Sequence, residues 1–184
     1  MKRDGKYRGL YRVASSRLHK WDYRSNSAYF VTICTKGSRH FFGHVTKGQI
    51  QLSEIGKIAQ EYWREIPKHF RYVDLDAFVI MPNHVHGIII IDRPRRDVAC
   101  NVSTKHHPST AGDKRMSSIS PKPGSLSTII RSYKSAVTRD VRKIDPNFTW
   151  QARFHDQVIR DPEQHERIRQ YILNNPTKWD EKQQ

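Results

Sequence analysis

Two histidines, His84 and His86, begin the longest apolar run of the chain. They follow a Pro-Asn turn signal at 82–83 and lead into four isoleucines, 88–91. Because strand side chains alternate between faces, both imidazoles lie on one face of the predicted strand. Two imidazoles on one face can converge on a metal ion and leave ligand positions open for water, a third side chain or a phosphate. The alternative is a pair of core histidines, each of which needs a partner because an unpaired buried polar group costs ~1–3 kcal/mol.

Two tyrosines are candidates for a nucleophile beside the histidines. Tyr171 lies four residues before Asn175, and positions i and i+4 of a helix share a face, so a phenol and an amide oxygen can reach the same metal ion. Tyr133 lies in an apolar helical stripe and has Val137 four residues later, which cannot bind a metal. Spacing therefore favours Tyr171. The alternatives are packing of Tyr171 against Ile168 and an ordinary helix-end role for Asn175.

Other catalytic arrangements are not apparent in the sequence. It shows no Ser-His-Asp or Cys-His pattern and no glycine-rich phosphate loop, and carboxylates are scarce near the histidines. A basic chain with a histidine-based metal site indicates metal-assisted phosphodiester chemistry, in which water or a side-chain hydroxyl attacks. The two cysteines, Cys34 and Cys100, lack metal-site spacing and fit a reduced, cytoplasmic compartment.

The charge of the chain indicates a polyanionic partner. Lys and Arg number 33 against 18 Asp and Glu, a formal net charge of +15 over 184 residues. This imbalance is typical of nucleic-acid-binding proteins. We expect no membrane partner, because the longest apolar run is far too short to span a bilayer, and we see no secretory signal.

Hydrophobic periodicity predicts the elements that hold the histidines in place. Strands are expected over 29–35, 73–80, 84–91 and 150–159, and residues 41–42 and 49–52 are expected to form a short hairpin. Three helices are expected, from Ser53 to Pro67, from Ser125 or Ser127 to about Arg142, and from Asp161 to the residue before Pro176. The order βαββαβα predicts an α+β fold. Its first six elements match a ferredoxin-like antiparallel sheet with helices on one face, and the additional C-terminal helix carries Tyr171.

We expect a single domain over residues 1–184, with a catalytic core at 28–179. Residues 1–27 form a basic, aromatic arm suited to phosphates and exposed bases, or a flexible tail. Residues 93–124 lack periodicity and predict a long surface loop. The second helix has a basic stripe of Arg131, Lys134, Thr138 and Arg142, which either contacts phosphates or is a solvated face.

Residues 82–87, Pro-Asn-His-Val-His-Gly, resemble the HUH motif of single-tyrosine transposases, which has two histidines around one apolar residue. Residues 170–175, Gln-Tyr-Ile-Leu-Asn-Asn, look like the tyrosine helix of that family. Residues 154–161 and 175–178 look like its REP-associated branch. The resemblance covers roughly residues 20–179.

The resemblance implies a mechanism and a partner. Single-stranded DNA, at repeated hairpin-forming sequences, would be cleaved by Tyr171 to leave a 5′-phosphotyrosine and a free 3′-OH, and joining would need no ATP. A divalent ion, Mg²⁺ or Mn²⁺, would be held by His84, His86 and Asn175. The REP-associated branch favours a monomer, with a homodimer as the alternative. The candidate DNA contacts are Arg131, Lys134, Arg142, Arg153 and His155.

Two rival functions remain open from the sequence. One is a DNA-binding regulatory protein of the same fold without catalysis, and the other is a metal-dependent RNA nuclease that uses water. Neither would form a covalent protein–DNA adduct.

Overall fold

The computed structural model describes residues 6–7, 10–11, 21–94 and 122–181. Most of the arm predicted at 1–27 and of the loop predicted at 93–124 lies outside these residues. The strands are β1 (Lys6–Tyr7), β2 (Leu10–Tyr11), β3 (Ser27–Cys34), β4 (Gly43–Thr46), β5 (Gln49–Leu52), β6 (Val73–Met81), β7 (His84–Ile91) and β8 (His155–Ile159). The helices are α1 (Glu54–Arg64), α2 (Ile66–His69), α3 (Leu126–Val141), α4 (Pro162–Leu173) and α5 (Asn175–Glu181).

The central sheet of the described chain has four strands in the order β6-β7-β3-β8. Each neighbouring pair is antiparallel. Strands β3, β6, β7 and β8 with helices α1 and α3 follow the βαββαβ order, so the predicted α+β, ferredoxin-like fold is confirmed. The pairs β1–β2 and β4–β5 form separate two-stranded sheets.

The two faces of β7 have different neighbours, as its alternation predicts. Val85, Ile89 and Ile91 are buried in the main core together with side chains of α1 and α3. Ile88 lies in a second apolar cluster with Ile159 and Ile172, which belongs to α4. The two histidines share the second face, so α4 covers the side of the sheet on which they lie.

Gly87 lies on the core face of β7 at a place where there is no room for a side chain. A Cβ atom at this position would collide with the ring of Trp63, which is fully buried. The residue that follows the second histidine is therefore limited to glycine by packing against α1.

At two prolines where a helix was expected to end, a new short helix begins. Pro67 and Pro176 lie in the first turn of α2 and α5 and do not simply follow a final helix end. The prediction that Tyr171 and Asn175 share one helix is wrong, because α4 ends at Leu173 and Asn175 begins α5. Proline removes a backbone donor and clashes with the carbonyl four residues earlier, so the helix has to restart.

Aromatic side chains account for two further differences from prediction. The strand predicted at 150–159 forms only over His155–Ile159, and residues 150–154 are an irregular connection with a bend at 152–153, in which Trp150 forms an isolated bridge with Thr35. The first hairpin strand begins at Gly43 and not at 41–42, since Phe42 is fully buried against Phe148 and Trp150. These rings pack in the core and do not pair along a sheet.

Among the described residues, no helix combines the length and apolarity needed to cross a bilayer.

Candidate active site

His84 and His86 lie side by side at the start of β7, with ring centroids 4.4 Å apart. His86 is 6% exposed and its Nδ1 is 2.9 Å from the hydroxyl of Thr32, the residue directly opposite it on β3. Its ring also stacks on that of Phe30 at 5.3 Å. Two neighbours on β3 therefore fix the orientation of this imidazole and leave Nε2 directed away from the strand pair.

The hydrogen bonds of Asn83 fix the tautomer of His84. Asn83 donates from Nδ2 to the carbonyl of Ser38 at 3.2 Å, so its Oδ1 faces the imidazole. Nδ1 of His84 is 2.6 Å from that oxygen. Since an amide oxygen only accepts, Nδ1 carries the proton and Nε2 keeps its lone pair. A ring held in this way is suited to bind a metal through Nε2.

Burial keeps both imidazoles neutral. It lowers the pKa of His84 to about 4. It also lowers the pKa of His86 to about 3, to which the neighbouring His84 contributes, while a backbone hydrogen bond with Val31 acts in the opposite direction. Both rings are therefore uncharged at neutral pH, which is the form that binds metal ions.

Tyr171 approaches His86 from α4. Its hydroxyl lies 3.4 Å from Nε2 of His86, and its ring meets that of Phe30 edge-on at 6.0 Å. The side chain is 42% exposed, which is unusual for a large aromatic residue in contact with a core. It borders an open groove of about 510 Å³ lined also by Glu163, Glu166, Arg167, Gln170, Asn174 and Lys178. The phenol is thus held on one side and accessible to a large ligand on the other.

Tyr133 lies on the opposite side of the sheet. It is 3% exposed, and its hydroxyl donates to the carbonyl of Ala59 at 3.1 Å. Its ring meets Trp63 edge-on at 5.2 Å, and burial raises the pKa of its phenol far above the usual value. The structure therefore gives Tyr133 the core position that its apolar stripe predicts.

Helix α5 contacts the histidine pair through Trp179. Asn175, the first residue of α5, is 8% exposed, and Trp179 of the same helix lies 5.7 Å from the ring of His84. In the part of the chain that the structure describes, no group of three or more His, Cys, Asp or Glu side chains could hold a metal. A third protein ligand would have to be of another type, and the amide oxygen of Asn175 is the candidate. Two neutral imidazoles and an amide oxygen would together make a mixed nitrogen and oxygen donor set of the kind that divalent cations accept.

The candidate DNA contacts divide into three groups. Lys134 donates to the carbonyl of Gln151 at 2.6 Å and Arg142 to that of Phe148 at 3.2 Å, so both tie the chain before β8 to α3. Burial lowers the pKa of Lys134. Arg131 is exposed and lines a cleft of about 490 Å³ on the helical side of the molecule.

The third group consists of Arg153 and His155, at and just before the start of β8. Both are exposed, and Arg153 precedes β8. His155 pairs with Thr32, which pairs with His86, so these three residues form one row on one face across β8, β3 and β7. At the usual strand spacing, His155 lies ~10 Å from His86. A strand lying across this face could contact both.

Sequence reasoning missed three contacts of the histidines: Thr32, Phe30 and Trp179. The alternation of side chains along β3 places Thr32 and Phe30 on one face, and this can be read from the sequence. That they lie opposite His86 and Ile88 depends on the register between β3 and β7, which cannot be read from the sequence. Trp179 lies beyond Pro176, where the helix was expected to stop.

The chain resembles known proteins over most of its length, although no protein-family model matches it. An uncharacterized protein of Haemophilus influenzae is 36% identical over 177 residues, which cover 95% of this chain and 94% of that protein. The solved structure of a REP-associated tyrosine transposase bound to a REP hairpin superposes with a TM-score of 0.58 at 18% identity. That match covers 90% of this chain and 74% of the other. At such low identity the second likeness shows a common fold.

Proposed function

The chain belongs to the same family as the uncharacterized Haemophilus influenzae protein, a relationship that names no reaction, and we propose its function from the site itself. It is a metal-dependent transposase, or endonuclease, that cleaves and rejoins single-stranded DNA through Tyr171. The observation that carries this proposal is the 3.4 Å approach of the Tyr171 hydroxyl to Nε2 of His86. An exposed phenol next to two neutral imidazoles is suited to attack on a phosphate.

His84, His86 and Asn175 would hold the divalent ion, Mg²⁺ or Mn²⁺. When bound, such an ion polarises the scissile phosphate and favours the phenolate form of the nearby tyrosine. The protein contributes the position of its ligands, through Thr32 on Nδ1 of His86 and Asn83 on Nδ1 of His84. These partners act on the imidazole nitrogens that face away from the ligand position.

The reaction exchanges one phosphodiester for another. The phenol of Tyr171 gives up its proton and its oxygen attacks the phosphorus, the bond to the 3′ oxygen breaks, and that oxygen takes up one proton to become a free 3′-OH, so that protons balance. The DNA remains attached to the protein through a 5′-phosphotyrosine. Because the number of phosphoester bonds is conserved, the 3′-OH of a second strand can reverse the step without ATP.

The proposed substrate is single-stranded DNA with hairpin-forming sequences. A net charge of +15 supports a polyanionic partner. The solved transposase of similar fold is bound to a hairpin, which supports the same class of substrate for this chain. The exposed His155, in one row with the half-buried Thr32, provides a surface on which a strand could reach the tyrosine.

We propose that the protein acts as a monomer. Tyr171 and His86 of the same chain already lie in contact, so the tyrosine and the histidines need not come from different chains.

The exposed phenol also favours the proposed transposase function over an RNA nuclease that uses water, since such an enzyme has no need for a tyrosine at this place.

The test is covalent capture of labelled single-stranded hairpin DNA. With Mg²⁺ or Mn²⁺, wild-type protein should carry the label through denaturing electrophoresis, and a chelator should prevent this. Tyr171→Phe removes one hydroxyl from an exposed ring and should remove the adduct without changing DNA affinity. Tight DNA binding by the wild type without any adduct would support a non-catalytic regulator, and RNA cleavage without an adduct would support the nuclease.

A further inference from the structure

Strand β6 is irregular at the point where it passes α4. Its pairing with β7 shifts between Leu75 and Phe78, so that Asp76 and Ala77 both lie opposite Ile88. A bulge of this kind changes the direction of side chains and is common next to active sites. Ile88 lies on the face that α4 covers, and Asp76 points to that helix.

The Asp76 carboxylate binds two side chains one turn apart on α4. Nε2 of His165 donates to Oδ2 at 2.7 Å, and Nε of Arg169 donates to Oδ1 at 3.4 Å. Both carboxylate oxygens are therefore engaged by the helix that carries Tyr171. The three side chains are partly exposed, Asp76 at 26%, His165 at 33% and Arg169 at 44%.

Apolar packing of α4 on the sheet is limited. Ile172 is the buried residue of this helix, and Ile168 packs partly buried against the same cluster. An isolated helix of this length is marginal in water, so its order depends on docking to the sheet. With so little apolar contact, the bonds from Asp76 provide a substantial part of that docking.

We propose that Asp76 is a positioning residue for Tyr171. It holds α4 against β6 and so keeps the phenol within reach of His86. Its loss would leave the sheet folded, since partly exposed ion pairs contribute little to global stability. It would allow α4 to undock locally, because elements with few buried contacts open without global unfolding. The catalytic consequence rests on the proposed function, whereas the docking itself does not.

The first measurement is hydrogen exchange on DNA-free Asp76→Ala and Asp76→Asn. Amides of α4 should lose protection by about tenfold in Asp76→Ala, while those of β7 stay unchanged. Asp74→Ala is the matched control, because Asp74 is exposed on the same face of the same strand. Unchanged protection of α4 in Asp76→Ala, or an equal loss in Asp74→Ala, would overturn the proposal.

The second measurement is the rate of adduct formation at saturating DNA. Since small displacements of reacting groups are costly, Asp76→Ala should lower this rate by at least about tenfold with an unchanged Kd for DNA. Exchanging the charges, with Asp76→Arg and Arg169→Asp together, should restore part of the rate that Asp76→Arg alone loses. A normal rate in Asp76→Ala would overturn the positioning role. If wild-type protein forms no adduct, the proposed function fails, and hydrogen exchange alone decides the docking role of Asp76.

Discussion

The hydroxyl of Tyr171 lies 3.4 Å from Nε2 of His86, although 85 positions separate the two residues along the chain. This contact joins β7, one of the two central strands of the sheet, to α4, the helix that follows β8. It distinguishes Tyr171 from Tyr133, which lies on the other face of the sheet.

Tyr133→Phe should keep the covalent adduct that Tyr171→Phe loses. The change removes the hydrogen bond to the carbonyl of Ala59, which keeps its helical partner within α1, so the free energy of unfolding should fall by only ~1 kcal/mol. Denaturant unfolding and adduct formation measure the two effects separately. Label captured by Tyr171→Phe and absent from Tyr133→Phe would reverse the assignment of the nucleophile.

His84→Ala and His86→Ala should each abolish strand cleavage in Mg²⁺ or Mn²⁺ while DNA binding persists. The reason is that binding depends on the basic side chains, whereas the imidazoles are buried and neutral. Gel-shift and cleavage assays on the same preparations separate the two. Full cleavage by either variant would exclude the proposed metal site.

Two residues of the basic stripe of α3, Arg131 and Lys134, should differ in their effect on the salt dependence of DNA binding. Arg131→Ala should flatten the slope of log affinity against log salt by ~0.7 if Arg131 contacts one phosphate of a single strand. Lys134→Ala should leave the slope unchanged and reduce stability, because its amino group donates to the carbonyl of Gln151. Binding titrations from low to moderate salt measure both slopes. An unchanged slope for Arg131→Ala would make it a solvated residue.

The metal-free protein should lose stability as the pH falls from 6.5 towards 4. The pKa of His84 is lowered to about 4 and that of His86 to about 3, so in this window the unfolded chain takes up protons that the folded chain excludes. One pKa unit corresponds to ~1.4 kcal/mol, so each histidine should account for a loss of ~3 kcal/mol and the pair for ~5 kcal/mol over this window. Unfolding in the presence of a chelator at several pH values measures it. The variant with both histidines replaced by alanine should show a shallower pH dependence, and an equal one would refute the attribution.

Periodicity and spacing predicted much of this arrangement. The alternation of β7 placed His84 and His86 on one face, because a strand has a fixed period of two. The spacing between Tyr171 and Asn175 favours Tyr171 over Tyr133 as the nucleophile. Tyr171 and Asn175 lie in consecutive helices, however, so the argument from a shared helix face was incomplete. The contact of Asp76 with α4 could not be predicted, since it depends on a bulge that only the pairing of β6 with β7 defines. The strand predicted at 150–159 is confirmed over 155–159 and wrong over 150–154, because ring packing and strand pairing favour the same residue types.

Gly87 and Trp63 compete for the same space. A relative of this protein with alanine after the second histidine should therefore carry a smaller side chain where Trp63 stands, and the two positions should change together over evolution. The glycine that ends the Pro-Asn-His-Val-His-Gly segment is then required by the packing of α1 against the strand, independently of any contact with DNA. Searching for nucleic-acid specificity at this position would be uninformative, whereas its partner on α1 would identify members of the family whose cores have been rebuilt.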